Sequence, residues 1–112
     1  MGRSDARAVM SALARIIEHF LKLEYSPAKE PRAGWEDSVS VHRDHALADL
    51  MDSPSLYGKI DLNGAYRRAL ITGKRGLGRD NVSIPALPAE CPYTVDQLLD
   101  PDWWPESRHG LE

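Results

Sequence analysis

The clearest helical pattern in the sequence runs from Asp5 to Tyr25, a stretch without glycine or proline. Apolar residues recur in it every three or four positions, which places them on one side of an α-helix. The stripe consists of Val9, Leu13, Ile16, Ile17, Phe20 and Leu23, and Met10 and Leu21 widen it. A stripe this wide predicts that the helix, over about residues 5–25, contacts more than one neighbour.

Two further long helices are predicted from the patterns that follow. The second covers about Trp35 to Met51, after a loop interrupted by prolines. The third starts at Pro54, with Ser53 as its N-cap, and extends to about Thr72. The glycines from Gly73 to Gly78 then predict an exposed, flexible loop.

The tail of the chain combines a short helix with most of the aromatic bulk. The short helix covers about Thr94 to Leu99, with Thr94 and Gln97 at the spacing of a capping box. Helices joined by short loops favour antiparallel neighbours, so the sequence predicts an all-α three-helix bundle. The large side chains Tyr93, Trp103 and Trp104 are expected to form an irregular strap on this bundle.

Length and composition limit the class of protein. The 112 residues predict a single domain over residues 1–110, and Leu111–Glu112 are interpreted as a possible tag remnant. Apolar residues make up 42% and charged residues 28%, as in soluble globular proteins. A single cysteine excludes an internal disulfide framework and fits a reducing compartment. We see no signal peptide and no apolar run of ~20 residues, so a cytoplasmic protein without membrane contact is expected.

Three segments of the sequence resemble a known family. They are "GRSDARAVMSALARIIEHFLKLEYSP", "DSPSL" and "CPYTVDQLLDPDWWPE", and together they span most of the chain. They resemble the bacterial family called domain of unknown function 29 (DUF29). The resemblance implies a mainly helical, cytoplasmic bacterial protein, and it implies no particular activity because the family has none established.

The resemblance also suggests an interface. Members of the family usually carry a further helical segment before the position of "GRS". We therefore expect the surface of the first helix to be bare in this chain and to be covered by a second copy or a partner. The predicted interface residues are Val9, Leu13, Ile16 and Phe20.

Three residues of the second helix are candidate metal ligands. His42, His45 and Asp49 lie at i, i+3 and i+7 along one edge, and His19 on the first helix can add a fourth ligand. Imidazole with carboxylate suits zinc or iron. The alternative is an ordinary His45–Asp49 pair and a half-buried, hydrogen-bonded His42. The sequence favours that alternative, so no metal or other cofactor is predicted.

The third helix and the tail carry opposite charges. A basic patch lies between Gly64 and Arg79, where no acid occurs, and it consists of Arg67, Arg68, Lys74, Arg75 and Arg79. The stretch from Glu90 to Glu112 holds six acids and one arginine. The favoured interpretation is that the tail neutralises the patch within one molecule or across a dimer. An external acidic partner and nucleic acid are the alternatives, and the net charge of −3 argues against nucleic acid.

No set of residues in the sequence demands catalysis. Cys91 is a candidate nucleophile, because the N-terminus of the short helix lies near enough to lower the pKa of its thiol slightly, but a structural role is favoured because Pro92 follows it and the segment is expected to be strapped to the core. The leading prediction is therefore a non-enzymatic protein–protein interaction module and homo-oligomer, for which a partner role of the toxin–antitoxin type would be suitable. The alternatives are a metal-dependent enzyme using His42, His45 and Asp49, and a nucleic-acid-associated protein using the basic patch.

Overall fold

The computed structural model describes residues 3–79 and 87–110 of the chain, with the side chains of 6–78 and 87–110. The long helices are α1 (Arg3–Tyr25), α2 (Arg32–Asp52) and α3 (Leu62–Arg79), and a short helix α4 (Val95–Leu99) follows. A 3₁₀ helix, Pro54–Lys59, connects α2 to α3. The described part of the chain contains no strand, so the all-α prediction is confirmed. The possible tag remnant at 111–112 lies outside the described residues.

Helix α1 is the centre of the fold. Both α2 and α3 pack against it, whereas α2 and α3 make no comparably extensive contact with each other within the described residues. The 3₁₀ helix and α4 also touch α1. The prediction that α1 contacts more than one neighbour is confirmed. Its wide apolar stripe is the seam along which the other elements meet.

This central position corrects the predicted interface. Val9, Leu13, Ile16 and Phe20 are at most 1% exposed. They are covered by other elements of the same chain, so a partner cannot reach them while the chain is folded. The apolar stripe of α1 therefore forms the core of one molecule, and a docking surface has to be sought elsewhere.

The third helix is broken where the sequence predicted continuity. The chain forms the 3₁₀ helix first, and α3 begins only at Leu62. Asp61 explains the new start, because its carboxylate accepts a hydrogen bond from the Gly64 backbone N–H at 3.0 Å. An aspartate in this position is a favourable N-cap.

The glycine-rich segment is helical, so the predicted loop from Gly73 to Gly78 is wrong. Small residues, Ala65, Ala69 and Gly73, lie at four-residue intervals on the buried side of α3. They allow α3 to approach α1 so closely that a Cβ added at Gly73 would lie 3.5 Å from Leu21 Cδ1. Leu77, fully buried, anchors the last turn. Packing of this kind outweighs the low helix propensity of glycine, which is about 1 kcal/mol per residue.

The helical state of this segment can be tested with Gly73→Ala. The added methyl group makes only an ordinary contact with Leu21, and alanine favours the helix, so the free energy of unfolding should rise by about 0.5–1 kcal/mol. Urea unfolding followed by circular dichroism measures this change. Gly76→Ala is the matched comparison, with a smaller gain expected because its Cβ would overlap Lys22 Cε. An unchanged or lowered stability of Gly73→Ala would contradict the helix.

Candidate functional site

Four cations project from the side of α3 that faces away from α1. Arg67, Arg68, Lys74 and Arg75 are exposed. Ile71 lies in the middle of them, since it is three or four positions from each of the four, and it is 60% exposed. The side chain of Arg79, the fifth member of the predicted patch, lies outside the described residues. The structure thus brings four predicted residues together around an apolar residue that the sequence analysis did not single out.

Among the described residues, the acids of the tail form no ion pair with these cations. The ion pairs among the described residues are Arg15–Glu18, Lys22–Glu18 and Arg108–Glu24. None of them includes a residue of α3, and the tail takes part only through its own arginine. The described ion pairs therefore give no support to neutralisation of the patch within one molecule, and neutralisation across a dimer stays a prediction. The aromatic residues of the tail pack against Phe20 of α1, and its backbone accepts hydrogen bonds from Arg43 of α2 and from Tyr66 of α3.

Two cations of α1 extend the patch across the groove between α1 and α3. Arg15 and Lys22 lie with Arg75 and Thr72 around a small cavity of about 210 Å³. Farther along, Arg68 Nη1 donates to Ser11 Oγ at 3.4 Å. We call the combined set the basic surface, and it consists of Arg15, Lys22, Arg67, Arg68, Lys74 and Arg75. Sequence analysis missed the α1 members because they are some fifty positions away from α3.

Glu18 is the one carboxylate described within the basic surface. It is 5% exposed and lies 3.6 Å from Arg15 and 3.4 Å from Lys22, measured from carboxylate oxygen to side-chain nitrogen. Burial by itself raises the pKa of Glu18, but a hydrogen bond from Thr72 and the charges of Lys22 and Arg15 outweigh it and lower the pKa. The charged Glu18 pairs with Lys22 and Arg15, and the four α3 cations have no ion-pair partner in the part of the chain that the structure describes.

Helix α2 presents a surface of the opposite sign. Its outward side, which we call the acidic face, consists of Asp37, Val41, Asp44, Ala48, Met51 and Asp52, all exposed. Val41 is 50% exposed and Met51 81%. The three aspartates form no ion pair with any described residue. The fold therefore separates charge between two flanking helices, and each charged face carries exposed apolar side chains.

The candidate metal ligands do not converge. The described residues include no group of three or more His, Cys, Asp or Glu side chains that could hold a metal ion. His42 Nδ1 lies 2.6 Å from the Ser38 carbonyl oxygen, to which it donates, and the ring centres of His42 and His45 are 6.4 Å apart. This geometry matches the alternative interpretation of a hydrogen-bonded His42.

His19 is buried between the helices and does not act as a fourth ligand in this arrangement. It is 7% exposed, and neither ring nitrogen has a hydrogen-bond partner within the described residues. Burial lowers the pKa of His19 to about 4, with Lys22 and Arg15 adding to the effect and Glu18 opposing it. The imidazole is therefore neutral at pH 7.

Cys91 has the surroundings of a structural residue. It is half-buried, and burial raises the pKa of its thiol although a backbone hydrogen bond at Tyr93 opposes the change. A thiol with a raised pKa is a poor nucleophile at pH 7. The geometry gives no support to a catalytic role for Cys91.

The aromatic strap is confirmed, and an arginine that the sequence analysis overlooked holds it. Tyr93, Trp103 and Trp104 surround the ring of Phe20 on α1, with ring centres 5.2, 5.4 and 6.1 Å away. Arg43, on α2, is 1% exposed. Its guanidinium carbon lies 5.1 Å from the centre of the Phe20 ring and 4.8 Å from that of Trp104.

Hydrogen bonds make Arg43 the clamp of the tail. Nε donates to the Leu98 carbonyl at 2.7 Å, and Nη2 donates to the carbonyls of Gln97 at 3.1 Å and Trp103 at 2.7 Å. Two of these carbonyls are at the C-terminal end of α4, where helical partners are missing and positive charge is favoured. Thr94 closes the other end of α4, and its predicted capping box with Gln97 is confirmed.

A cavity of about 730 Å³ lies between the end of α1, the start of α2 and the tail. Trp104, Leu23 and Glu36 line it, as does Arg32. Arg32 is already engaged with the backbone carbonyls of Leu23 and Ser26, which it caps at the end of α1. The described walls of this cavity therefore contain no nucleophile paired with a base, and the basic surface remains the best candidate site.

The fold and the site define a small all-helical protein with an exposed basic surface on α3. Residues 1–104 match the family described as "Domain of unknown function DUF29", and the chain belongs to this family. No curated protein and no solved structure gives a significant match. None of the helices in the described ranges is long and apolar enough to cross a membrane.

The clamp is tested by Arg43→Met, which keeps most of the side-chain volume between the two rings. Three backbone carbonyls lose their donor, so the free energy of unfolding should fall by about 2–4 kcal/mol and tryptophan emission should shift to longer wavelength. Arg67→Met is the matched control. Its side chain is exposed and outside any described ion pair, so its effect should stay within about 0.5 kcal/mol. Equal stability of the two variants would contradict the clamp.

The pKa of His19 predicts a pH dependence. Because the folded pKa is about 4 and the unfolded value is 6.5, the unfolded chain binds more protons between these values. Stability should therefore fall as the pH falls from 6.5 towards 4. His19→Leu removes this titration, so its stability relative to wild type should grow by about 2 kcal/mol between pH 7.5 and pH 5. Urea unfolding at both pH values gives this difference.

The control for this pH dependence is His45→Gln, which changes an exposed ring. Its stability relative to wild type should be the same at both pH values. A His19→Leu variant that follows the pH dependence of wild type would show that His19 is not the titrating group.

Proposed function

We propose that this chain is a non-enzymatic protein–protein interaction module whose working part is the basic surface. The observation that carries the proposal is the group of four exposed, unpaired cations around Ile71 on α3. Protein interfaces commonly combine an apolar centre with a charged, hydrated rim. The basic surface has the same arrangement, with the apolar Ile71 at its centre and cations around it.

The partner that this surface fits is a protein with an acidic surface. Complementary charge accelerates encounter and fixes orientation, whereas the exposed Ile71 adds contact area that a purely ionic partner would not use. A protein of the toxin–antitoxin type would be one such partner, and a cytoplasmic location stays a prediction. Nucleic acid would engage the same arginines. The acidic face and the net charge of −3 oppose the approach of a long polyanion, so we rank it second.

The metal-dependent enzyme is the least supported alternative. It requires His42, His45 and Asp49 to meet at one ion, and the hydrogen bond from His42 to the Ser38 carbonyl uses one of the nitrogens concerned. An interaction module requires nothing of these residues. It depends only on exposure and charge, which α3 provides.

Binding of labelled poly-glutamate, followed by fluorescence anisotropy at low salt, tests the proposal. The double variant Arg68→Glu/Arg75→Glu should weaken binding about tenfold or more, because two attractive charges become repulsive. Lys29→Glu/Lys59→Glu is the matched control. It changes the net charge equally at exposed sites outside the basic surface, so its effect should be at most about threefold.

Two outcomes would contradict the proposal. Equal weakening by the variant and its control would show that bulk charge, and not the basic surface, governs binding. Tighter binding of a random-sequence DNA duplex than of poly-glutamate, lost in Arg68→Glu/Arg75→Glu, would replace the protein partner by nucleic acid.

A further inference from the structure

We infer that the partner for the basic surface is a second copy of this chain, which docks through the acidic face of its α2. The inference rests on the proposed function and names the partner for the same surface. It follows from the opposite charges of the two faces and from the exposed apolar side chains that each face carries.

The two faces are complementary in charge. The basic surface offers four unpaired cations on α3, and the acidic face offers three unpaired aspartates on α2. Neither set is neutralised inside the described molecule. The sequence predicts that opposite charges meet within one molecule or across a dimer, and no ion pair of the first kind involves α3 among the described residues. Contact between the α3 face of one copy and the α2 face of another would pair the cations with the aspartates.

The faces also match in their apolar content. Ile71 is at the centre of the α3 cations, and Val41 and Met51 are on the acidic face. These are three of the four large apolar side chains that are largely exposed in the described residues, and the fourth is Tyr57 on the 3₁₀ helix. When the two faces meet, their exposed apolar side chains can contact each other at the centre. The opposite charges can then pair around that centre.

The two helices match in length as well. Helix α2 has 21 residues and α3 has 18, so at about 1.5 Å per residue each extends for roughly 30 Å. One can lie along the other over most of this distance. Nucleic acid, by contrast, would contact only the basic surface. The exposed apolar side chains of the acidic face would then stay in solvent.

Contact between unlike faces has consequences for the assembly. Such a contact is heterologous, and it either closes into a symmetric ring or dimer or continues from copy to copy. A single helix face against another is a small interface, of the size found in weak complexes. We therefore expect association that increases with protein concentration and decreases with salt.

Sedimentation of the whole chain tests this directly. At about 50 mM salt the weight-average mass should rise with concentration above the 12.5 kDa of one chain, and at about 500 mM salt it should return to that value. This measurement needs no variant. A mass of 12.5 kDa at every concentration and at both salt levels would overturn the inference. Binding of poly-glutamate by the same sample would still leave the proposed function standing.

A charge exchange tests which faces meet. Arg68→Glu/Arg75→Glu removes the net positive charge of the α3 face, because two glutamates then offset Arg67 and Lys74, and Asp37→Lys/Asp44→Lys makes the acidic face basic. Each variant alone should sediment as a monomer, because the charge attraction between its two faces is lost. An equimolar mixture should again exceed the mass of one chain, because the unchanged acidic face of the first variant can meet the unchanged basic surface of the second. The control Glu90→Lys/Asp102→Lys, at exposed acids of the tail, should associate as the wild type does.

Circular dichroism of each variant establishes that it is folded before the masses are compared. Failure of the mixture to regain mass, with both variants folded, would overturn the pairing of these two faces. A second contradicting result would be a tail control that sediments as a monomer together with a charge-exchange mixture that stays monomeric. It would show that the tail acids form the contact, and it would overturn the pairing of the basic surface with the acidic face.

Discussion

The buried guanidinium of Arg43 is the contact that joins the separate parts of this fold. It belongs to α2, stacks against Phe20 of α1, and donates to backbone carbonyls in α4 and beside the tryptophans of the tail. Taking a charge out of water is unfavourable unless hydrogen bonds replace the lost hydration. Here part of the compensation comes from three backbone carbonyls, two of them at the end of α4, while Nη1 has no hydrogen-bond partner among the described residues. A neutral side chain in this place would pack between the rings but would leave those carbonyls without donors.

The position of the tail, which Arg43 holds, affects which charged groups of the surface are paired. With the tail held against α1 and α2, its acids form no ion pair with the cations of α3 among the described residues. Helix α1 occupies the centre and keeps α2 and α3 on separate flanks. The separation of positive from negative charge thus results from core packing, and the proposed association is a consequence of it. In the same way the core removes the apolar stripe of α1 from any role in binding.

The elements that were predicted well are those decided by neighbouring residues. The glycine-free and proline-free run of α1 and the Thr94–Gln97 capping box involve contacts within one or two turns. The glycine segment from Gly73 to Gly78 was misjudged because its helix depends on Leu21, which is fifty-two positions earlier. Arg43 was missed for the same reason, since its acceptors are more than fifty residues farther along. A lone arginine in a helix carries no signal of burial.

The candidate site shows the same division. The cations of α3 were visible as a run in the sequence, because four of them share one helix side. Their extension to Arg15 and Lys22 of α1 depended on how the helices pack. The sequence by itself determined the all-α class and the charge of each helix, since these follow from local periodicity and composition, and its motifs determined the family. Only the tertiary structure decided which apolar stripe became core and which charged face remained open, because burial and pairing depend on contacts between residues far apart in the chain.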